Sequence, residues 1–169
     1  YNTNINGTAN VLQQLKYKNF IFASTGVAEN PINPYALSKR VAEDIVHESC
    51  HTVNYTIFRF YNVIGTAGFM PTNPDGLMSA LVKAKDTGKF TIFGNDYEQS
   101  WDGTCVRDYV HVEKIAEAHL LAGPFLKASG ADSHSSFDVI NLGTGVGSTV
   151  LEVISAVAVE SGLAIPWTP

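Results

Sequence analysis

Two short runs of β-branched and aromatic residues, Asn-Phe-Ile-Phe-Ala-Ser at 19–24 and Tyr-Thr-Ile-Phe-Arg-Phe at 55–60, constrain the fold more than any other feature of the chain. Both are almost continuously apolar, the pattern of strands buried on both faces, and such strands belong to parallel sheets. Parallel neighbours need a long crossover, and the residues between them supply one. A helix is expected from about 34 to 51, with Leu37, Val41 and Ile45 four apart on one face. Asn33 is a suitable N-cap, and Pro34 suits the first helical position, where its missing N–H would have no partner anyway. Strand, helix and strand make a βαβ unit, whose crossover should be right-handed. The expected class is α/β.

After Asn62 the chain turns to Gly-Thr-Ala-Gly and Pro-Thr-Asn-Pro-Asp-Gly, dense in turn formers, and a lobe boundary is expected there. A helix at about 77–85, a strand at 90–93, a helix at 112–122, a strand at 137–141 and a helix at 149–161 should follow. The 169 residues are 45% hydrophobic and 16% charged, enough apolar surface for a core and against disorder. A formal charge of −5 offers no basic face for nucleic acid. No run approaches the roughly 20 apolar residues that cross a bilayer, and no signal-peptide pattern opens the chain. A soluble cytoplasmic protein, with no membrane partner, is the expectation. Cys50 and Cys105 make no disulfide framework, and His47, Cys50 and His51 lack a fourth ligand, so no metal is expected.

Tyr35 and Lys39 lie four residues apart on the predicted helix, so their side chains emerge on one face. A tyrosine hydroxyl titrates at about 10, too high for a base at neutral pH. A neighbouring ammonium favours the phenolate, and the pair can then exchange a proton with a substrate alcohol. Taken alone, the spacing arises often by chance and is usually that of a solvated helix face. Ser24 and Thr25 end a buried strand, where open α/β sheets place their ligands. A hydroxyl there can bond a reacting oxygen or cap the strand.

Four segments carry a resemblance: Asn4-Ile5-Asn6-Gly7-Thr8, Phe20-Ile21-Phe22-Ala23-Ser24-Thr25, Asn33-Pro34-Tyr35-Ala36-Leu37-Ser38-Lys39 and Arg59-Phe60-Tyr61-Asn62. In that order they resemble the extended short-chain dehydrogenase/reductases. Phe93-Gly94-Asn95-Asp96-Tyr97, followed by Asp102-Gly103-Thr104-Cys105-Val106-Arg107-Asp108-Tyr109-Val110-His111-Val112, is similar to the signature of the UDP-glucose 4-epimerases within that superfamily. The resemblance covers essentially the whole chain. Arg107 alone would read as a surface ion pair with Asp108 or Glu113, worth little. In these surroundings its forked guanidinium reads as a phosphate contact.

The resemblance implies Tyr35 as catalytic base and acid, Lys39 as the residue that lowers its pKa and holds the nicotinamide ribose, and Thr25 as the partner of the sugar O4. It implies that Asn4, Ser24 and Phe60, with Tyr35 and Lys39, lie along NAD. Tyr61, Asn62, Leu77, Phe93, Arg107 and Tyr109 match positions around a UDP-sugar. The implied reaction is epimerisation at C4 of a UDP-hexose, UDP-glucose or UDP-galactose, through transient oxidation to a 4-keto sugar. The implied architecture is part of a Rossmann-type doubly wound parallel sheet over 1–64, plus a smaller mixed α/β sugar-nucleotide-binding lobe over 65–169. Residues 109–123 are expected to return to the first domain, and the full-length form to be a homodimer.

The family's glycine-rich fingerprint should precede Tyr1 and a substrate-binding arginine should follow Pro169, so the chain is expected to be a fragment, inactive alone. Gly143-Thr144-Gly145-Val146-Gly147 imitates a dinucleotide-binding turn, yet its G-x-G-x-G spacing and the little chain left after it favour a structural turn before a helix capped by Ser148. The link 26–32 replaces a much longer family loop, Gly76 stands where the family commonly has Asn, and Trp101 sits in a one-residue insertion. Two other readings compete. A 4,6-dehydratase calls for an Asp-Glu pair directly after Thr25, where Gly26-Val27 stands. A non-catalytic nucleotide-sugar-binding remnant has no need of Thr25, Tyr35 and Lys39 together.

Overall fold

A computed structural model describes residues 1–15, 19–49, 54–66, 68, 76–128, 137–162 and 164–168. In chain order, a π-helical turn (Asn2–Asn6) leads into α1 (Gly7–Gln14), β1 (Asn19–Thr25), a 3-10 turn (Gly26–Ala28), α2 (Pro34–Ser49) and β2 (Asn54–Phe60). Next come β3 (Asn62–Ile64), α3 (Leu77–Thr87), β4 (Phe90–Thr91), β5 (Val106–His111) and α4 (Val112–Ala128). β6 (Phe137–Leu142), β7 (Gly147–Thr149), α5 (Val150–Ser161) and β8 (Trp167–Thr168) follow. The chain divides into two compact units, Tyr1–Tyr61 with Glu113–Gly143, and Asn62–Val112 with Thr144–Pro169. The division falls at Tyr61, and the segment returning to the first unit is Glu113–Gly143, where 64 and 109–123 were expected.

The first unit is α/β, built on a parallel sheet in the order β1-β2-β6. The expected βαβ unit is present, with Asn33 as cap: its Oδ1 accepts from the Ala36 amide at 2.8 Å. The buried face of α2 is not the Leu37, Val41 and Ile45 stripe. Leu37 is 43% exposed, while Ala36, Ala42 and Val46 are buried completely. Small residues let the helix settle closely on β1 and β2, where Phe22, Tyr55 and Ile57 complete the core and Leu12 of α1 and Phe20 flank it. α4 runs six residues past its expected end at 122. Pro124 removes a helical hydrogen bond, but Leu126 beyond it is buried, and its carbonyl accepts from Asn54 Nδ2 at 3.0 Å.

The second unit holds the β3-β5-β7 sheet, with β3 parallel and β7 antiparallel to β5, and the parallel pair β4-β8. Its core is Leu81, Ala84, Phe90, Ile92 and Ile154. The cap of α5 is Thr149, not Ser148: Thr149 Oγ1 accepts from the Glu152 amide at 3.1 Å while Glu152 Oε2 accepts from the Thr149 amide at 2.8 Å, a capping box. The helix begins at Val150, one residue later than a Ser148 cap requires, and Ser148 lies within β7 opposite Arg107.

Candidate active site

In the first unit the site residues gather at the carboxyl ends of the parallel strands. The register sets Ser24 beside Arg59 and Thr25 beside Phe60, and the Tyr61 amide donates to Leu142 O at 3.3 Å. Ligands of open parallel sheets bind beyond these ends. Tyr35, second residue of α2, is 53% exposed. Lys39, one turn on, donates from Nζ to Ala23 O at 2.9 Å and stands 5.0 Å from the Phe22 ring centroid. It thereby ties the helix to the strand end that carries Ser24 and Thr25. Burial lowers the Lys39 ammonium below its ordinary pKa, and the Glu43 carboxylate opposes that shift. Asn4 joins this neighbourhood through Nδ2, which donates to Ser38 Oγ at 2.9 Å. Phe60 lies beside His119, with ring centroids 5.9 Å apart.

Ser24 points elsewhere. It is 4% exposed, and its hydroxyl donates to Glu43 Oε1. Glu43 also accepts from Arg59 Nε at 3.0 Å and Nη2 at 2.6 Å, a forked ion pair buried beneath the strand ends. Hydrogen bonding to Glu43 holds the Arg59 guanidinium above its ordinary value, with burial opposing. Of this Ser24–Glu43–Arg59 group only Ser24 was among the expected site residues, as a cofactor contact and not as a partner of Glu43; Glu43 and Arg59 were not. Their signal is legible in retrospect, since an arginine inside an otherwise apolar strand demands a buried partner.

The chain leaves this site through a tight turn. A Cβ on Gly26 would stand 3.0 Å from the Tyr61 ring, and Ala28 is fully buried. The following residues are open, with Ile32 90% exposed.

In the second unit the sheet brings Asn62, Arg107 and Tyr109 together. Asn62 is the β3 partner of Tyr109, and Arg107 lies two residues from it on the same face of β5. Burial pushes the Tyr109 hydroxyl upward in pKa, and Cys105 adds to this while Arg107 opposes it. Arg107 donates from Nη1 to Val106 O at 2.8 Å. Asp108 is engaged elsewhere. Its Oδ1 accepts from the Thr144 amide at 2.9 Å and from Thr144 Oγ1 at 2.6 Å, and its Oδ2 accepts from the Gly145 amide at 2.9 Å. Burial works to raise this carboxyl, but those bonds hold it below the usual carboxylate range. The glycine-rich turn is therefore an anion nest filled by the protein's own carboxylate, with Gly145 at φ +75°. Leu77 heads α3 and packs on the second core, and Phe93 is 88% exposed. Trp101, 78% exposed, donates from Nε1 to Glu152 Oε1 at 3.3 Å.

Among the described residues no His, Cys, Asp and Glu cluster suits a metal ion and no helix is long and apolar enough to cross a membrane. Cys50 and His51 lie outside the described residues.

The family described as NAD dependent epimerase/dehydratase matches residues 1–143. A UDP-glucose 4-epimerase of Lactobacillus helveticus is 34% identical, the match covering 99% of this chain and 57% of that protein. The crystal structure of UDP-glucose 4-epimerase from Brucella ovis in complex with NAD superposes with a TM-score of 0.86 at 28% identity, covering 99% of this chain and 58% of the other. That of the Bifidobacterium longum enzyme with NAD+ and UDP gives 0.79 at 30% identity, covering 99% and 57%. The chain spans about half the length of the curated relatives it matches, 57%, 54% and 47% for three of them. The first alignment runs over 194 positions against 169 residues here, so at least 25 (194 minus 169) have no counterpart in this chain.

Proposed function

We propose that this chain, which belongs to the NAD dependent epimerase/dehydratase family, forms part of an enzyme that inverts C4 of a UDP-hexose, interconverting UDP-glucose and UDP-galactose. One observation supports the reading: Lys39 bonds the Ala23 carbonyl at 2.9 Å, which ties the helix that carries the exposed Tyr35 to the strand end that carries Thr25. Tyr35 takes the proton of the sugar 4-hydroxyl and returns it. Lys39, its charge fixed one helical turn away, favours the phenolate during that exchange. Thr25 hydrogen-bonds O4 and orients it. Arg107, with Asn62 and Tyr109, holds the diphosphate through charge-assisted bonds.

The residues present fit a bound NAD in place and chemistry. An ammonium and a hydroxyl lie at the carboxyl end of a parallel strand, and Asn4 is anchored near them through Ser38. Ser24 contributes through its backbone alone, because its hydroxyl is committed to Glu43. NAD, when bound, supplies the acceptor and donor of the C4 hydride.

The test is a coupled assay on the full-length protein with each of the two sugars. Interconversion is expected. A 4-keto-6-deoxy product in its place would assign the protein to the dehydratases, and binding without turnover would make it a nucleotide-sugar-binding module.

A further inference from the structure

The three-residue strand β7 is clamped at both ends. At one end Asp102 Oδ2 accepts from Thr149 Oγ1 at 2.5 Å, while its Oδ1 accepts from the Thr104 amide and hydroxyl, each at 2.8 Å. At the other end Asp108 holds Thr144 and Gly145, in the turn from which β7 departs. Between the clamps Arg107 stands opposite Ser148. The two strands meet closely here: a Cβ on Gly147 would meet Val106 Cγ1 at 2.6 Å. Side chains alternate along a strand, so Arg107 and Tyr109 share one face of β5 and Asp108 takes the other.

We infer that Asp108 is a positioning residue for Arg107, fixing the strand that presents the guanidinium to the diphosphate of a nucleotide-sugar. The inference rests on the reading of Arg107 given above. Although adjacent in sequence to that cation, Asp108 spends both carboxylate oxygens on three donors of the nest. The guanidinium is thus held on an ordered backbone and keeps its charge for a ligand, and less ordering remains to oppose binding. Asparagine at 108 would preserve the shape and lose the function. One of its two heads is an NH2 group, which must face an amide that already donates.

The experiment titrates UDP into the full-length protein by calorimetry. Asp108→Asn is expected to weaken UDP binding about tenfold, a coupling of ordinary size for residues linked through a shared backbone. KM for the nucleotide-sugar should rise with it, while kcat changes much less. In an Arg107→Met background the same substitution should cost no further affinity, because the group being positioned is gone. Thr144→Val keeps both backbone amides of the nest and removes the hydroxyl, which donates to Asp108 at 2.6 Å and also accepts from the Val146 amide at 3.2 Å; a weakening of roughly threefold is expected. That variant decides the matter if Asp108→Asn does not fold. Charge alone predicts the opposite sign, since removing an anion beside a phosphate site tightens binding. Unchanged or tighter UDP binding in the variants, or losses that add in the double variant, overturns the inference. A parent protein that does not bind UDP overturns the reading of Arg107, and this inference with it.

Discussion

Glu43→Gln removes one charge from the buried pair beneath the strand ends and leaves the side-chain volume almost unchanged. Glu43 is 3% exposed and Arg59 7%, and the carboxylate accepts three hydrogen bonds, two from the guanidinium and one from Ser24. The amide offers one acceptor oxygen where two are used, and its NH2 group faces a guanidinium donor. An uncompensated cation remains in the interior, and breaking such a pair from one side costs about 3–5 kcal/mol. With a urea m-value of about 2 kcal/mol/M, the unfolding midpoint should fall by roughly 1.5–2.5 M. The control is Glu43→Leu combined with Arg59→Met. Removing both partners in favour of apolar groups should bring stability back to within about 1 kcal/mol of the parent, or above it. Urea unfolding of the full-length protein, followed by circular dichroism, measures all three. A Glu43→Gln variant within about 1 kcal/mol of the parent, or a double variant less stable than the single, would refute the claim that this pair is desolvated and mutually dependent.

Three further outcomes are expected. Tyr35→Phe should lower turnover by about 10²–10⁴, the usual range for a general acid-base group, with UDP affinity retained in calorimetry. Lys39→Met should move the rise of rate to higher pH, because the phenolate loses its neighbouring cation; an unmoved profile would contradict that role. Asp102 is pulled upward by burial but held below its ordinary value by bonds from Thr149 and Thr104. Its folded pKa therefore lies below the unfolded value of about 3.9, and its stabilisation is complete above that pH and lost as pH falls through the folded value. Asp102→Asn should be less stable than the parent at pH 7 but show a flatter decline below about pH 4, read from urea midpoints across that range.

The parallel core was legible because burial on both faces leaves its mark in strand composition, and Asn33-Pro34 announces a helix start in the same local chemistry that forms it. Other elements depend on partners distant in sequence. α1 and its π-helical turn are rich in Asn, Gln, Gly and Thr, with little apolar periodicity, and Asn4 bonding to Ser38 and Leu12 packing on the core hold them in place. Stopping α4 near residue 122 respects the proline penalty, which the anchoring of Leu126 overrides. β5 was legible as a chemical motif and not as a strand, because its central residues are Arg107, Asp108 and Tyr109 and its pairing with β3 and β7 is non-local. Of the candidate site, residue identities at the strand ends were legible, while the inward turn of Ser24 and the engagement of Asp108 depend on Glu43 and on Thr144, partners distant in sequence.

The tight approach of Gly26 to the Tyr61 ring divides the connection after β1 into a fixed and a permissive part. Two of its first three residues are locked, Gly26 by the aromatic face and Ala28 by its complete burial. From Glu29 to Tyr35 every residue is exposed, and solvated backbone of this kind accepts inserted sequence at small thermodynamic cost, since closure entropy grows only logarithmically with loop length. The length of this connection is therefore an adjustable dimension of the scaffold: a longer segment spliced after Glu29 would reshape access to Tyr35 while the strand end beneath it stayed in register.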